Sequence, residues 1–233
     1  MRPEFITFDC AQTLVSVDWQ PAVIAVKSAS RAGLEFDMQV AVEIYDRKLR
    51  GSWKEFQQLN LKRDEGVLAT FWLDLTRGWM DEAGMPPERA PDVVSEANDM
   101  LFGPESRVFT IYEDVVPCLD RLAAAGYRMG IVSNWDNSLH RTLRMFGLTS
   151  YFEHVLASLE EGVEKPDPRL FQIALDRAGV AAEDALHIGD NAVDDWQGAR
   201  SAGMKALVID RQAEARTDVR ITDLRQLAEV LDA

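Results

Sequence analysis

Four segments of the chain hold residues whose types and order suit chemistry on an electrophilic centre: Asp9 to Leu14, Ser133-Asn134, Lys165-Pro166 and Gly189 to Ala199. Asp9 closes one short apolar run, Glu4-Phe5-Ile6-Thr7-Phe8. Asp190 closes another, Ala185-Leu186-His187-Ile188-Gly189. A carboxylate delivered at the end of a buried strand can act as a nucleophile if its charge is managed. Two ionised carboxylates placed together repel, so either one takes up a proton or a cation joins them. A hard divalent ion such as Mg²⁺ suits such a pair, because it accepts one or two carboxylates, a carbonyl, waters and a phosphate oxygen. Lys165 adds a fixed positive charge for the oxygens of a transferred group. Ser133 and the backbone N–H groups around it can hydrogen-bond the same oxygens.

Those residues need a frame that brings them together. The form of the first run recurs at Arg128 to Val132, His154 to Ala157, Ala185 to Gly189 and Lys205 to Ile209. Each is short, mostly apolar and stopped by a polar residue, as buried strands are. Helical patterns separate them: Val115 to Ala125, Ser138 to Phe146, Asp167 to Ala178, Asp195 to Ala202 and Asp223 to Leu231. Asp167-Pro168 reads as an N-cap followed by Pro in the first turn. Strand and helix alternating in this way predict an α/β fold with a Rossmann-like parallel sheet covered on both faces. Ligands of such sheets gather beyond the carboxyl ends of the strands. Residues 16–106 break the rhythm. They show helical stretches (Val23 to Ala32, Val40 to Leu49, Trp53 to Glu65, Phe71 to Glu82, Ala90 to Leu101) and no convincing strand. The expected organisation is a catalytic core of residues 1–15 and 107–233 with an all-helical cap domain, 16–106, inserted into it.

Composition narrows the partners. The 233 residues are 47% hydrophobic and 27% charged, the balance of a globular protein and not of a disordered tail. Thirty-nine acidic against 25 basic residues give a net charge of −14, which repels nucleic acid and anionic membranes. No segment offers ~18 uncharged apolar residues. The expectation is a cytoplasmic monomer or homodimer acting on a small molecule, without nucleic-acid or membrane partners. Cys10 and Cys118 stand 108 positions apart and form no metal-binding pair. Trp19, Trp53, Trp72 and Trp79 in the helical stretch are read as helix-packing residues, with a pocket lining as the functional alternative. Arg47, Lys48, Arg50 and Lys54 make a basic cluster, read as a solvated helix face or as an anion site. His187 lies in a core strand and is read as structural.

FDCAQTL at Phe8 to Leu14 resembles the first motif of the haloacid dehalogenase superfamily, a nucleophilic Asp followed by a turn ending in Thr-Leu. IVSNWD, EKPDPRLF and HIGDNAVDDWQGAR are similar to its second, third and fourth motifs, in order and at suitable spacing. The resemblance covers the whole core, extends to the helical-cap subclass, and within it lies nearest a phosphatase-like branch. It implies Asp9 as nucleophile, Ser133 and Lys165 as ligands of the transferred group, and Lys165 as the charge-neutralising lysine. It further implies Mg²⁺ held by Asp9, Asp190 and the carbonyl at Ala11. Asp195 aligns with the downstream acidic residue that orients Lys165; Asp194 takes that role under a slightly shorter spacing. Thr13 is expected to support the turn or Asp9, and Asn134 to fix the substrate-binding loop.

Ala11 departs from the family pattern, which usually has a second Asp there to protonate the leaving alcohol and then activate water. A methyl group transfers no proton, and losing a general acid/base costs ~10²–10⁴ in rate. Gln12 stands where the family usually has Gly, at a turn position that asks for positive φ. Three readings follow. The first is Mg²⁺-dependent phosphate-ester hydrolysis through an aspartyl-phosphate, either on good leaving groups or with a proton donor from the cap. The second is carbon–halogen or carbon–phosphorus cleavage, the latter with Lys48 or Lys54 as a Schiff-base lysine. The third is a catalytically impaired binding protein that keeps the fold.

Overall fold

The computed structural model describes residues 2–231, the side chain of Ala228 excepted. The chain opens with β1 (Phe5–Phe8) and β2 (Val15–Val17), followed by α1 (Pro21–Arg31), α2 (Met38–Asn60), α3 (Glu65–Glu82) and α4 (Ala90–Phe102). Next come β3 (Phe109–Ile111), α5 (Val115–Ala124), β4 (Arg128–Ser133), α6 (Ser138–Met145), β5 (His154–Ala157), α7 (Ser158–Glu161) and α8 (Pro168–Ala178). The chain ends with β6 (Ala185–Gly189), α9 (Gly198–Ser201), β7 (Lys205–Ile209), β8 (Arg220–Ile221) and α10 (Leu227–Leu231). Two compact units result, one of residues Asp18–Phe109 and one of the chain on either side.

The unit built from both ends of the chain is an α/β fold around a six-stranded sheet ordered β5-β4-β1-β6-β7-β8. Every pairing is parallel. β1 is central and wholly buried, which is why it reads as an unbroken apolar run and not as an alternation. Phe5 and Val132 on one face pack with Leu170, Phe171, Ala174 and Leu175 of α8. Burial of each large apolar side chain contributes about 1.5–3 kcal/mol. The chain leaves β1 towards β4 and β5 on one side and returns to β6 and β7 on the other. The carboxyl ends of β4, β1 and β6 therefore lie side by side at the point where strand order reverses. β2 and β3 form a separate two-stranded sheet, and these strands and β8 carry too few residues to show a period in the sequence.

In the helical unit, two boundaries differ from those read from the sequence. Gly51 does not end a helix: α2 runs unbroken through it for 23 residues, capped by Asp37, whose carboxylate accepts from the Val40 N–H at 3.1 Å. An interior glycine costs only about 1 kcal/mol, less than the burial of Ala41, Tyr45 and Phe56 on the same helix returns. α3 likewise begins at Glu65, where the Asp64 carboxylate caps the N–H groups of Gly66 and Val67. Trp79 is fully buried, donates from Nε1 to the Ala41 carbonyl at 2.8 Å and meets the Tyr45 ring edge-on. Phe56, Phe71 and Trp72 form an aromatic cluster. Trp19 and Trp53 remain 48% and 45% exposed, so only part of the tryptophan set packs helices. In the basic cluster, Arg47 and Lys48 both pair with Glu82.

Candidate active site

Asp9 extends β1 by one residue: its N–H donates to the Ile188 carbonyl of β6 at 2.8 Å. The next peptide unit turns away. Gln12 adopts φ +55°, the left-handed conformation, and its N–H donates to the Val15 carbonyl at 2.7 Å. Glutamine thus keeps the turn that glycine would favour, and its side chain holds it there. Nε2 donates to the Val17 carbonyl and Oε1 accepts from the Tyr112 hydroxyl, each at 3.1 Å. Thr13 lies in the same turn. Its buried hydroxyl has no hydrogen bond among the described residues, and its carbonyl accepts from Arg211 Nη2 at 2.7 Å. Ala11 lies in the same turn, bridged to Val15.

Asp9 is buried, and its Oδ1 accepts from two donors: the Ser133 hydroxyl at 2.7 Å and the Lys165 ammonium at 2.8 Å. Lys165, 4% exposed, also donates to Asp195 Oδ1 at 2.5 Å. Burial alone pushes the Lys165 ammonium down, but the charges of Asp9 and Asp195 outweigh it and hold the group above the usual lysine range. Asn134 is bonded to the segment that carries Lys165. Its amide is consumed by the Lys165 backbone, with Oδ1 accepting from the Lys165 N–H at 2.7 Å and Nδ2 donating to the Lys165 carbonyl at 2.9 Å. A planar amide engaging both peptide groups fixes where the lysine leaves the chain, so Asn134 positions Lys165.

The segment after β6 brings Asp195, and not Asp194, onto Lys165. The expected helix from Asp195 instead begins with a π-helical turn, Ala192–Gln197, capped by Asn191, and α9 follows. Asn191 Oδ1 accepts from the N–H groups of Val193 and Asp194, while the Trp196 N–H reaches the Asn191 carbonyl across the widened turn. Such turns re-aim a side chain by one extra residue. Asp195 points inward and is 1% exposed; Asp194 is only partly buried. Asp195 Oδ1 accepts from Lys165 and from His187 Nε2 at 3.0 Å, and its Oδ2 accepts from the Asn191 N–H at 2.9 Å. Burial would raise the Asp195 carboxyl, but the His187 hydrogen bond and the Lys165 charge hold it well below the usual carboxylate range. His187, Thr7 and Asn191 belong to this network. A histidine in an apolar strand was the one available sign of it.

Asp190 completes the site from the end of β6. Oxygens of Asp9, Asp190 and Asp195 lie within 4.8 Å of one another. Burial first, then the charges of Asp9 and Asp195, push the Asp190 carboxyl up to about 6. Three carboxylates against one ammonium leave a surplus of two negative charges, which a divalent cation would neutralise. This donor set, all oxygen, fits Mg²⁺. Asp190 also borders a cavity of about 700 Å³ lined by Gln12, Tyr112, Arg211 and Arg220.

A buried carboxylate on the central strand, a lysine bridging it to a second acid, and a third acid at the end of the next strand come together at one edge of the parallel sheet. The chain belongs to the haloacid dehalogenase-like hydrolases, whose family model matches residues 4–203. It is 28% identical over 221 residues to "Haloacid dehalogenase-like hydrolase domain-containing protein 3" of Danio rerio, covering 93% of this chain and 89% of that one. It is 36% identical over 191 residues to a phosphoserine phosphatase of Thermus thermophilus, covering 78% and 75%. Among solved structures, a 2-haloacid dehalogenase from Pseudomonas syringae pv. Tomato DC3000 superposes with a TM-score of 0.68 at 27% identity, covering 99% and 98%. Helices α1 to α4, inserted between β1 and β4, are the helical cap region of that family. Among the described residues, no helix is long and apolar enough to cross a membrane.

Proposed function

We propose that this hydrolase cleaves small phosphate esters in a Mg²⁺-dependent reaction, favouring substrates whose leaving group departs without protonation. The observation that carries the reading is the Lys165 ammonium held between Asp9 and Asp195, beside three clustered carboxylates. Asp9, Asp190 and the Ala11 carbonyl would hold the ion. When bound, Mg²⁺ supplies positive charge that brings an anionic phosphoryl group to an anionic nucleophile.

Asp9 attacks phosphorus with a carboxylate oxygen, the bond from phosphorus to the leaving oxygen breaks, and the leaving group takes the electron pair. The product on the enzyme is an aspartyl-phosphate, which water then hydrolyses. Lys165 and the Ser133 hydroxyl, which both reach Asp9 Oδ1 at rest, are placed to bind the oxygens of the transferred group as charge moves onto them. Asp195 holds Lys165, and Asn134 holds its backbone. Ala11 contributes no proton, so phenolate-like leaving groups react faster than alkoxides.

The test compares wild type, Asp9→Asn and Ala11→Asp on p-nitrophenyl phosphate, alkyl phosphates and a 2-haloacid, with and without Mg²⁺. Metal-dependent phosphate release that vanishes in Asp9→Asn supports the proposal. Halide release without metal, or a silent wild type that Ala11→Asp awakens, replaces it with dehalogenation or an impaired scaffold respectively.

A further inference from the structure

His187 and Thr7 take no part in the chemistry above, yet they sit directly beneath it. They are register partners on β6 and β1, so both side chains project from the same face of the sheet. Both are 0% exposed. Thr7 Oγ1 lies 2.9 Å from His187 Nδ1, and His187 Nε2 lies 3.0 Å from Asp195 Oδ1. The next register partner of His187, on β7, is Ala206, and the Phe171 ring meets the imidazole edge-on at 5.0 Å. The imidazole therefore has two polar neighbours, one for each nitrogen.

The chemistry of those neighbours assigns the proton. Asp195 already accepts a lysine ammonium and is ionised, so the nitrogen facing it must donate: Nε2 carries hydrogen. With the ring's hydrogen on Nε2, Nδ1 presents its lone pair to the Thr7 hydroxyl 2.9 Å away. The Thr7 hydroxyl, which can rotate, donates to that lone pair. The chain of donors runs from Thr7 to His187, to Asp195, while Lys165 joins Asp195 to Asp9.

We propose that Thr7 and His187 are positioning residues that lock the Asp195 carboxylate so that Lys165 stays aimed at Asp9. The claim about rate rests on the phosphatase reading; the claim about geometry does not. Asp195 Oδ1 shares two donors. Without the fixed one from His187, a buried carboxylate loses a hydrogen bond and regains freedom to turn about its side-chain torsions, carrying Lys165 with it. Thr7 acts one step further out, by holding the imidazole in the tautomer that can donate.

The experiment uses the full-length protein with Mg²⁺ and p-nitrophenyl phosphate. His187→Leu should lower kcat by about 10–100-fold with KM little changed. His187→Gln, whose amide N–H can reach Asp195, should restore most of that loss. Thr7→Val should lower kcat by less and Thr7→Ser should restore it, while Thr7→Val adds nothing in the His187→Leu background. Equal kcat losses in His187→Leu and His187→Gln, or kcat losses that merely follow melting temperature, overturn the proposal. A second readout needs no turnover. Nitrogen NMR should show the imidazole protonated at Nε2 alone across the neutral range, and a slowly exchanging Lys165 ammonium that is lost in His187→Leu and kept in His187→Gln. Protonation at Nδ1, or an ammonium signal indifferent to His187→Leu, overturns the proposal even if p-nitrophenyl phosphate is never hydrolysed. Absence of wild-type turnover with the expected spectra overturns only the phosphatase reading.

Discussion

Asp195 occupies the space that a side chain at position 189 would fill: a Cβ on Gly189 would lie 2.1 Å from the Asp195 Cγ. Gly189 ends β6 in the row next to Asp9, so the missing side chain is what lets Asp195, in the turn after β6, reach Lys165. Gly189→Ala should displace Asp195 and cost about 1–3 kcal/mol of stability. Under the proposed function it should also remove most p-nitrophenyl phosphate turnover. Urea unfolding together with p-nitrophenyl phosphate turnover checks this; an alanine variant with wild-type kcat would show that the close approach is dispensable.

Lys165 is the only cation bonded to Asp9 and Asp195 among the described residues. Lys165→Met leaves two buried carboxylates without it, and breaking a buried pair in this way costs about 3–5 kcal/mol. Adding Asp195→Asn should recover part of the loss, because one orphaned charge is removed. Additive losses in a double-mutant cycle by urea denaturation would contradict the pairing.

The Asp190 carboxyl, pushed up to about 6 by burial and by the charges of Asp9 and Asp195, sets a pH signature. Its native pKa lies above the unfolded value, so without metal the charged form is a burden above about pH 6. That burden is relieved as pH falls through about 6 towards the ordinary carboxylate range. Mg²⁺ and the proton compete for the same oxygens. The rise in melting temperature on adding Mg²⁺ should therefore be large above about pH 6 and shrink below it, and should be flattened in Asp190→Asn. A Mg²⁺ shift independent of pH in the wild type would argue against Asp190 as a ligand.

In the proposed phosphate-ester cleavage, Ala11 leaves the leaving group to bear its own charge. Across a series of aryl and alkyl phosphates, kcat/KM of the wild type should fall steeply as the leaving group becomes more basic. Ala11→Asp should flatten that dependence and raise the alkyl rates by about 10²-fold. A flat wild-type series would mean that another residue donates the proton.

Gln12 sits at φ +55° and is held by Val17 and Tyr112. Gln12→Gly trades backbone strain for two lost hydrogen bonds and should change stability by less than about 1 kcal/mol. Gln12→Val puts a β-branched residue in the left-handed region and should cost about 2–3 kcal/mol. Thermal unfolding of the two variants separates strain from bonding.

The strands were legible in the sequence because burial on both faces writes each as a local apolar run, and the polar residue that stops a run marks the strand's carboxyl end. Asp9, Ser133 and Asp190 could be placed at one edge of a parallel sheet on that basis alone, and the four ordered motifs named the family. Gly51 misled because helix termination is decided by competition. A local cost of about 1 kcal/mol is outweighed by the packing of Phe56 against Phe71 and Trp72 of another helix.

What only the tertiary structure decided are the relations between residues far apart in the chain. The choice of Asp195 over Asp194 depends on a π-helical turn whose register no local pattern announces. The bonding of Asn134 to the Lys165 backbone joins positions 31 residues apart, and the pairing of Thr7 with His187 joins positions 180 apart. Strand order and register set those meetings. Apolar periodicity says which face of a strand is buried, and says nothing of which strand lies beside it.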